Sequence, residues 1–248
     1  MFGLLRRWRR IPAIAASDWL AVRARVPWVA RLDATRDARL QSLAARFLHE
    51  KTITPLAGLE LDDADRCVLA ALCSLPLLEY GSNGLRGWSQ LLVYPDAFRV
   101  QRSHTDAAGV LHEWEDELIG EAWDSGPLVL SWADVRGDLR DPRAGFCVAV
   151  HEMAHKLDAL DGVLDGTPLL PRDWQRAWAR DFQHAFDAFA ARVEAGDDLP
   201  IDPYAAESPE EFFAVLSEYH MSDPALLAHE IPTVAAHLAR FYGHSPMA

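Results

Sequence analysis

Two histidines four residues apart, with a glutamate beside the first, make His151-Glu152-Met153-Ala154-His155 an H-E-x-x-H sequence. On a helix, positions i and i+4 share a face, so both imidazoles can converge on one Zn2+ at about 2.0–2.1 Å. Glu152 then lies beside the metal, where a carboxylate can take a proton from a bound water. The lead-in "FCVAV" is apolar and predicts a buried helix start. That is a costly setting for a polar pair unless something satisfies it. Asp158, three residues past His155, is open to two readings. It can accept the N–H of a ligating imidazole, or it can be a solvated charge.

A tetrahedral catalytic site needs a third protein ligand and one open position. Glu211, 56 residues after His155, is the candidate. Ser208-Pro209-Glu210-Glu211 also has the S-x-x-E spacing of a capping box, with proline at the first helical position. On spacing alone, capping is the better reading. Glu210 and Glu218 are rival carboxylates, and Glu218 falls two turns further along the face of Glu211. A purely structural zinc site is disfavoured, because such sites use four closed Cys/His ligands.

The elements that must position these residues are mostly helical. Residues 14–82 are rich in Ala, Leu and Arg, and Leu40, Leu43, Ala44 and Phe47 fall on one helical face. "DDADRCVLAALCSLPLLEYG" predicts a buried helix that Pro76 ends or kinks, with a loop at Gly81 and Gly84. "SQLLVYPDAFRV" and "GPLVLSWADV" are β-like, and Pro127 makes the second a strand that starts there or lies on an edge. As an edge strand, residues 126–132 could pair with an extended substrate backbone. "RGDLRDPRAG" reads as a loop. "PRDWQRAWARDFQHAFDAFAARVEAG" predicts a long helix closed by Gly196, "DDLPIDPYAAESP" a loop, and "PEEFFAVLSEYHM" a further helix. Helices, a small sheet, then helices again give an α+β organisation. Residues 1–85 are expected to form a helical region packed on a catalytic part, 86–248, or the two together one continuous domain.

The 248 residues can bury a sizeable core, half of them being hydrophobic and a quarter charged. A net charge of -13 argues against direct binding of nucleic acid or an anionic membrane. Cys67, Cys73 and Cys147 show no CxxC spacing and sit in apolar runs, which predicts buried free thiols suited to a reducing cytoplasm. After Arg10 only "IPAIAA" is apolar, shorter than the roughly 7–15 residues of a signal peptide's apolar region. No apolar run approaches the ~20 residues of a membrane span. These features predict a cytoplasmic chain.

"HEMAHKLDALDG" followed by "YAAESPEEFFAVLSEYH" closely resembles the Mlc titration factor A family of bacterial zinc metallopeptidases. More distantly, it is similar to the catalytic domain of anthrax lethal factor. The match comprises the H-E-x-x-H, the Asp three residues on, a Tyr seven residues before the ligand Glu, and E-F-F-A starting at that Glu. "GEAWDSGPLVLSWADV" and the closing "ARFYG" also look like this family, so the resemblance covers nearly the whole chain. It implies a predominantly helical α+β, zincin-like fold with a small mixed sheet. It also implies one Zn2+ per chain on His151, His155 and Glu211, with Glu152 as general base and Tyr204 donating to the developing oxyanion. A family histidine before G-E-A-W puts His112 forward as a further metal contact. A polar residue on a strand or loop near the cleft is the equal reading.

The same resemblance implies aminopeptidase-like action on peptides and binding of a glucose-responsive transcription repressor of the Mlc type. The alternative is a mainly non-catalytic, repressor-titrating regulator with latent activity. This chain departs from the family at Tyr219-His220, where an aromatic pair is usual; His220 is then a packing replacement or a surface change. His49, His104, His184, His229, His237 and His244 have no partner spacing.

Overall fold

A computed structural model describes residues 11–96, 98–105, 111–118, 120–122 and 126–248; between 97 and 125 it describes only the backbone of the strands. The chain opens with α1 (Ala16–Arg25), the single turn α2 (Pro27–Ala30) and α3 (Ala34–Glu50). Asp33 caps α3 by accepting the N–H groups of Thr35 and Arg36, and the expected face of Leu40, Leu43, Ala44 and Phe47 is buried. After β1 (Thr52–Pro55), a capping box of Asp62 and Asp65 starts α4 (Asp63–Ser74). Pro76 separates α4 from the single turn α5 (Leu77–Tyr80). The strands β2 (Gln90–Tyr94), β3 (Phe98–Thr105), β4 (Leu111–Leu118), β5 (Gly120–Ala122) and β6 (Leu128–Ser131) follow. The rest is helical: α6 (Trp132–Arg140), α7 (Val148–Asp158), α8 (Arg172–Glu194), α9 (Pro209–Ser222), α10 (Pro224–Glu230) and α11 (Pro232–Tyr242).

The main sheet has the order β1-β2-β6-β5. β1, β2 and β6 are parallel, and β5 runs antiparallel to β6. A parallel pair needs a crossover, and α4 and α5 supply it between β1 and β2. β3 and β4 form a separate antiparallel hairpin, Phe98 opposite Leu118 through to Thr105 opposite Leu111. All four residues of β6 are buried, as a strand covered on both faces requires. α7 packs against β5 and β6 on one side and against α4, α6 and α9 on others. One buried cluster runs from Trp19 to Met247 and joins residues on both sides of position 85. The fold is the predominantly helical α+β arrangement with a small mixed sheet that the sequence leads one to expect.

Local expectations fail in three places. Residues 52–55, inside the stretch read as helical, form β1, because Thr52, Ile53 and Thr54 are consecutive β-branched residues. "RGDLR" continues α6, and the loop begins only at Asp141. Of the two readings of Pro127 the strand start holds and the edge does not: it stands just before the first residue of β6 and removes no ladder hydrogen bond. Both sides of β6 are paired, so it offers no free edge to a substrate backbone. His112 lies in β4 opposite His104, and its side chain is outside the described residues.

Two histidines outside the H-E-x-x-H pair have structural roles. His220 is buried, its Nε2 3.0 Å from the Gly243 carbonyl oxygen and its ring stacked on Tyr242, so it is a packing replacement. His237 Nδ1 accepts from Trp174 Nε1 at 2.7 Å, and its Nε2 donates to Asp181 at 2.8 Å, tying α11 to α8. Cys67, Cys73 and Cys147 are buried free thiols, as expected.

Three helices meet at Gly166, in the loop after α7. Its N–H donates to Asp158 at the end of α7 (2.8 Å), and its carbonyl accepts from Trp178 of α8 (3.1 Å). Its φ of +77° and the Pro209 carbonyl oxygen, 2.4 Å from where a Cβ would sit, both exclude a side chain. Gly166→Ala is therefore expected to cost about 2 kcal/mol or more, a Tm drop of at least about 4 °C by calorimetry.

Candidate metal centre

α7 has no cap from its own N-terminal residue, Cys147. Carboxylates from two other helices satisfy its first N–H groups. Asp138 of α6 accepts from Val148 N at 2.9 Å, and Glu218 of α9 accepts from Cys147 N at 2.6 Å. One turn in, α7 presents His151 and His155 towards α9, with Glu152 buried beside them. α9 starts at Pro209 under a Ser208 cap whose hydroxyl accepts the Glu211 N–H at 3.3 Å. Ser208 thus makes the cap, and the Glu211 carboxylate is turned to the histidines. The Glu211 carboxylate does not return to the Ser208 N–H, so the reciprocal capping box is not formed and the side chain is left to the histidines.

The three donor atoms form a nearly equilateral triangle. His151 Nε2 and His155 Nε2 are 3.2 Å apart, and Glu211 Oε2 lies 3.1 Å from the first and 3.5 Å from the second. Ligands about 2.0 Å from a tetrahedral centre are separated by ~3.3 Å, so one small cation fits all three. Glu211 Oε2 is buried and has no hydrogen-bond partner despite these short approaches, which a cation would satisfy. Among the described residues, His151, His155 and Glu211 are the one group of this kind able to hold a metal ion. Glu210 takes no part.

Glu218 is not a ligand. Its Oε1 lies 2.8 Å from His151 Nδ1, on the far side of the ring from the triangle. Burial works against a charged His151, but Glu218 and Glu211 outweigh it and hold the ring's pKa well above the ordinary histidine value. These carboxylates favour any positive charge at the ring, proton or metal. Burial also opposes an ionised Glu211, and the two imidazoles override it, keeping this carboxyl well below its usual range. Glu152 is 2% exposed and its Oε2 has no partner. Burial raises its pKa to about 8, with the Glu211 and Glu218 charges adding to the effect.

Tyr204 lies on the 3-10 turn Pro203–Ala206, half-exposed, its ring stacked over His151 with centroids 6.3 Å apart. Burial and the neighbouring Glu211 charge keep its hydroxyl protonated, its pKa raised. The loop before it is held by the Tyr219 hydroxyl, which accepts from Asp202 N at 3.2 Å and donates to Pro200 O at 3.3 Å. The Tyr219 ring passes so close to Gly145 (φ +91°) that an added Cβ would sit 2.7 Å from it. Asp158 answers to neither of its two readings: it is fully buried and accepts from Gly166 N.

A His–His–Glu triangle on two packed helices, flanked by a second carboxylate and a tyrosine, is a donor set that suits a metal-dependent peptidase. The chain belongs to the glucose-regulated metallo-peptidase M90 family, whose pattern matches residues 4–243. It is similar to Mlc titration factor A of Escherichia fergusonii, 37% identical over 225 residues, 90% of this chain and 84% of that one. The corresponding proteins of Escherichia coli and Yersinia pestis are each 36% identical over 90% of this chain, covering 84% and 83% of their own length. Among the described residues, no helix is long and apolar enough to cross a membrane.

The sequence pattern marks every member of the triangle but does not reveal what Asp138 and Glu218 do. For Glu218 the signal is the seven-residue spacing from Glu211; for Asp138 there is none. Burial raises the Asp138 pKa to about 7, against its Val148 hydrogen bond and with the Glu218 charge adding to the rise. An acid whose folded pKa lies above its unfolded value of 3.8 contributes stability that is complete below pH ~4 and is lost as pH rises through 7. Asp138→Asn keeps an acceptor for Val148 and has no charge to bury. Between pH 5 and pH 8 the variant is expected to gain on the order of 1–3 kcal/mol relative to wild type, read from denaturant melts.

Proposed function

We propose that this chain is a zinc-dependent, aminopeptidase-like peptidase of the cytoplasm that also binds a glucose-responsive repressor of the Mlc type. The observation that carries the catalytic half is the triangle of His151 Nε2, His155 Nε2 and Glu211 Oε2, with its partnerless buried oxygen. In this reading one Zn2+ per chain is held by those three residues and supplies Lewis-acid polarisation of water and of a peptide carbonyl. Glu152, at the next position after His151 and with a free Oε2, would be ionised by the charge of the bound Zn2+ against the upward pull of burial, and would accept a proton from the attacking water and pass it to the leaving amine. Tyr204, over the His151 ring with its proton retained, donates to the oxyanion. His112 is a fourth contact to be sought from the β4 side. The helices before residue 85 share the buried cluster and belong to the same folding unit in this reading. Buried free thiols and the absence of disulfides among the described residues suit a reducing compartment.

A second reading, of a regulator that acts mainly by binding, is favoured by the name of the relatives, Mlc titration factor A. It fits alongside the first if binding and hydrolysis use different surfaces.

Glu211→Ala is expected to lower zinc content from one per chain to near zero and to abolish hydrolysis of a chromogenic amino-acid amide. Full zinc and activity in that variant would reduce Glu211 to a helix residue. Glu152→Gln should keep zinc yet lose about 10²–10⁴-fold in kcat. A pull-down with a purified Mlc-type repressor should be unaffected by the same change; loss of both properties would place the partner in the cleft.

A further inference from the structure

Glu218 is a buried carboxylate to which the catalytic reading gives no task, and the inference drawn from it rests on that reading. It is 6% exposed and spends its two oxygens on two different donors. Oε1 faces His151 Nδ1 at 2.8 Å, and Oε2 accepts the Cys147 N–H at 2.6 Å. A backbone N–H can only donate, and a ring nitrogen facing a carboxylate at this distance carries the proton. Two acceptors are therefore required at once. Glutamate offers two; glutamine offers one acceptor and one donor, and can satisfy only one of the pair.

The placement on α9 explains how one helix reaches both ends of one ring. Glu211 and Glu218 are seven residues apart, hence two turns and ~10 Å along the same face. Glu211 Oε2 lies 3.1 Å from His151 Nε2, and Glu218 Oε1 lies 2.8 Å from Nδ1. The imidazole is gripped between them. A role as third ligand is excluded by the side of the ring Glu218 faces. A role as helix cap alone would use Oε2 and leave Oε1 unexplained.

We propose that Glu218 is the positioning residue of the metal centre. By holding the Nδ1 proton and the Cys147 N–H together, it fixes the ring of His151 relative to the start of α7. It also commits the neutral imidazole to the tautomer whose Nε2 lone pair faces the metal, and its charge makes that nitrogen a stronger donor.

The test uses the purified full chain as wild type, Glu218→Gln, Asp138→Asn and Glu211→Ala. Zinc dissociation constants are measured by competition with a chromophoric chelator, and visible spectra are recorded after Co2+ loading. Glu218→Gln is expected to weaken zinc about 10–100-fold and to shift the cobalt bands. Asp138→Asn changes the other carboxylate at the same helix end without touching the ring, and should stay within about twofold of wild type. Zinc binding within about twofold of wild type and an unchanged cobalt spectrum in Glu218→Gln would overturn the proposal. If Glu211→Ala loses zinc at the same time, the metal-site reading stands without it. A wild type that takes up no zinc overturns both. Should circular dichroism show Glu218→Gln unfolded, the charged but shorter Glu218→Asp takes its place: a tenfold or greater loss supports the proposal and less than about twofold ends it.

Discussion

Burying several carboxylates within reach of one another is the constraint on which this structure turns. Asp138, Glu152 and Glu218 are all buried, and Glu211 is largely so, around the first turns of a single helix. Desolvation and mutual repulsion make such a group unfavourable unless positive charge or N–H dipoles are packed among it. The start of α7 supplies the dipoles through Val148 and Cys147, and its histidines supply sites for a proton or a cation. The His151–His155–Glu211 triangle leaves a place for a cation between Glu211 and the two rings. α7 and α9 are thus bound to each other by polar terms that neither helix can satisfy alone.

The remaining elements keep water away from that pairing and set its geometry. β5 and β6 cover one side of α7, and α4 another. α8 drives a row of aromatic side chains beneath α9: Trp178 stacks on Phe182 at 4.1 Å, and both meet Phe213 edge-on. Gly166 lets the chain leave α7 and pass within contact of Pro209, so the end of one site helix is fastened beside the start of the other. Tyr219, one residue beyond Glu218, braces the turn that carries Tyr204. A shift of α9 would move Glu211, Glu218 and the brace beneath Tyr204 together.

Much of the centre is legible in the sequence because its chemistry is local. His151, Glu152 and His155 lie within five residues, and helical geometry alone converges the two imidazoles. Glu211 is legible only as an ambiguity, since a cap and a ligand want the same residue type at the same spacing. In the structure the cap at Ser208 uses only the Glu211 backbone N–H, which any residue but proline supplies, and the carboxylate faces the two histidines. Asp138 cannot be found from the sequence, because a carboxylate that caps a helix ten residues downstream leaves no periodic mark. β1 is hidden inside Ala- and Leu-rich helical sequence, and its identity comes from pairing with β2, a contact between distant residues. The pairing of β6 on both sides escapes the sequence for the same reason, since Pro127 marks a boundary without saying which strands lie beyond it.

Three successive helices, α9, α10 and α11, have proline at their first position. Proline disfavours helical geometry in the residue before it, so a helix that begins there cannot creep upstream. For α9 this fixes the helix start at Ser208, whose hydroxyl accepts the Glu211 N–H. Glu211 and, two turns further on, Glu218 then lie on the face that meets His151. Pro209 thus sets the boundary of the helix from which the His–His–Glu triangle takes its carboxylate.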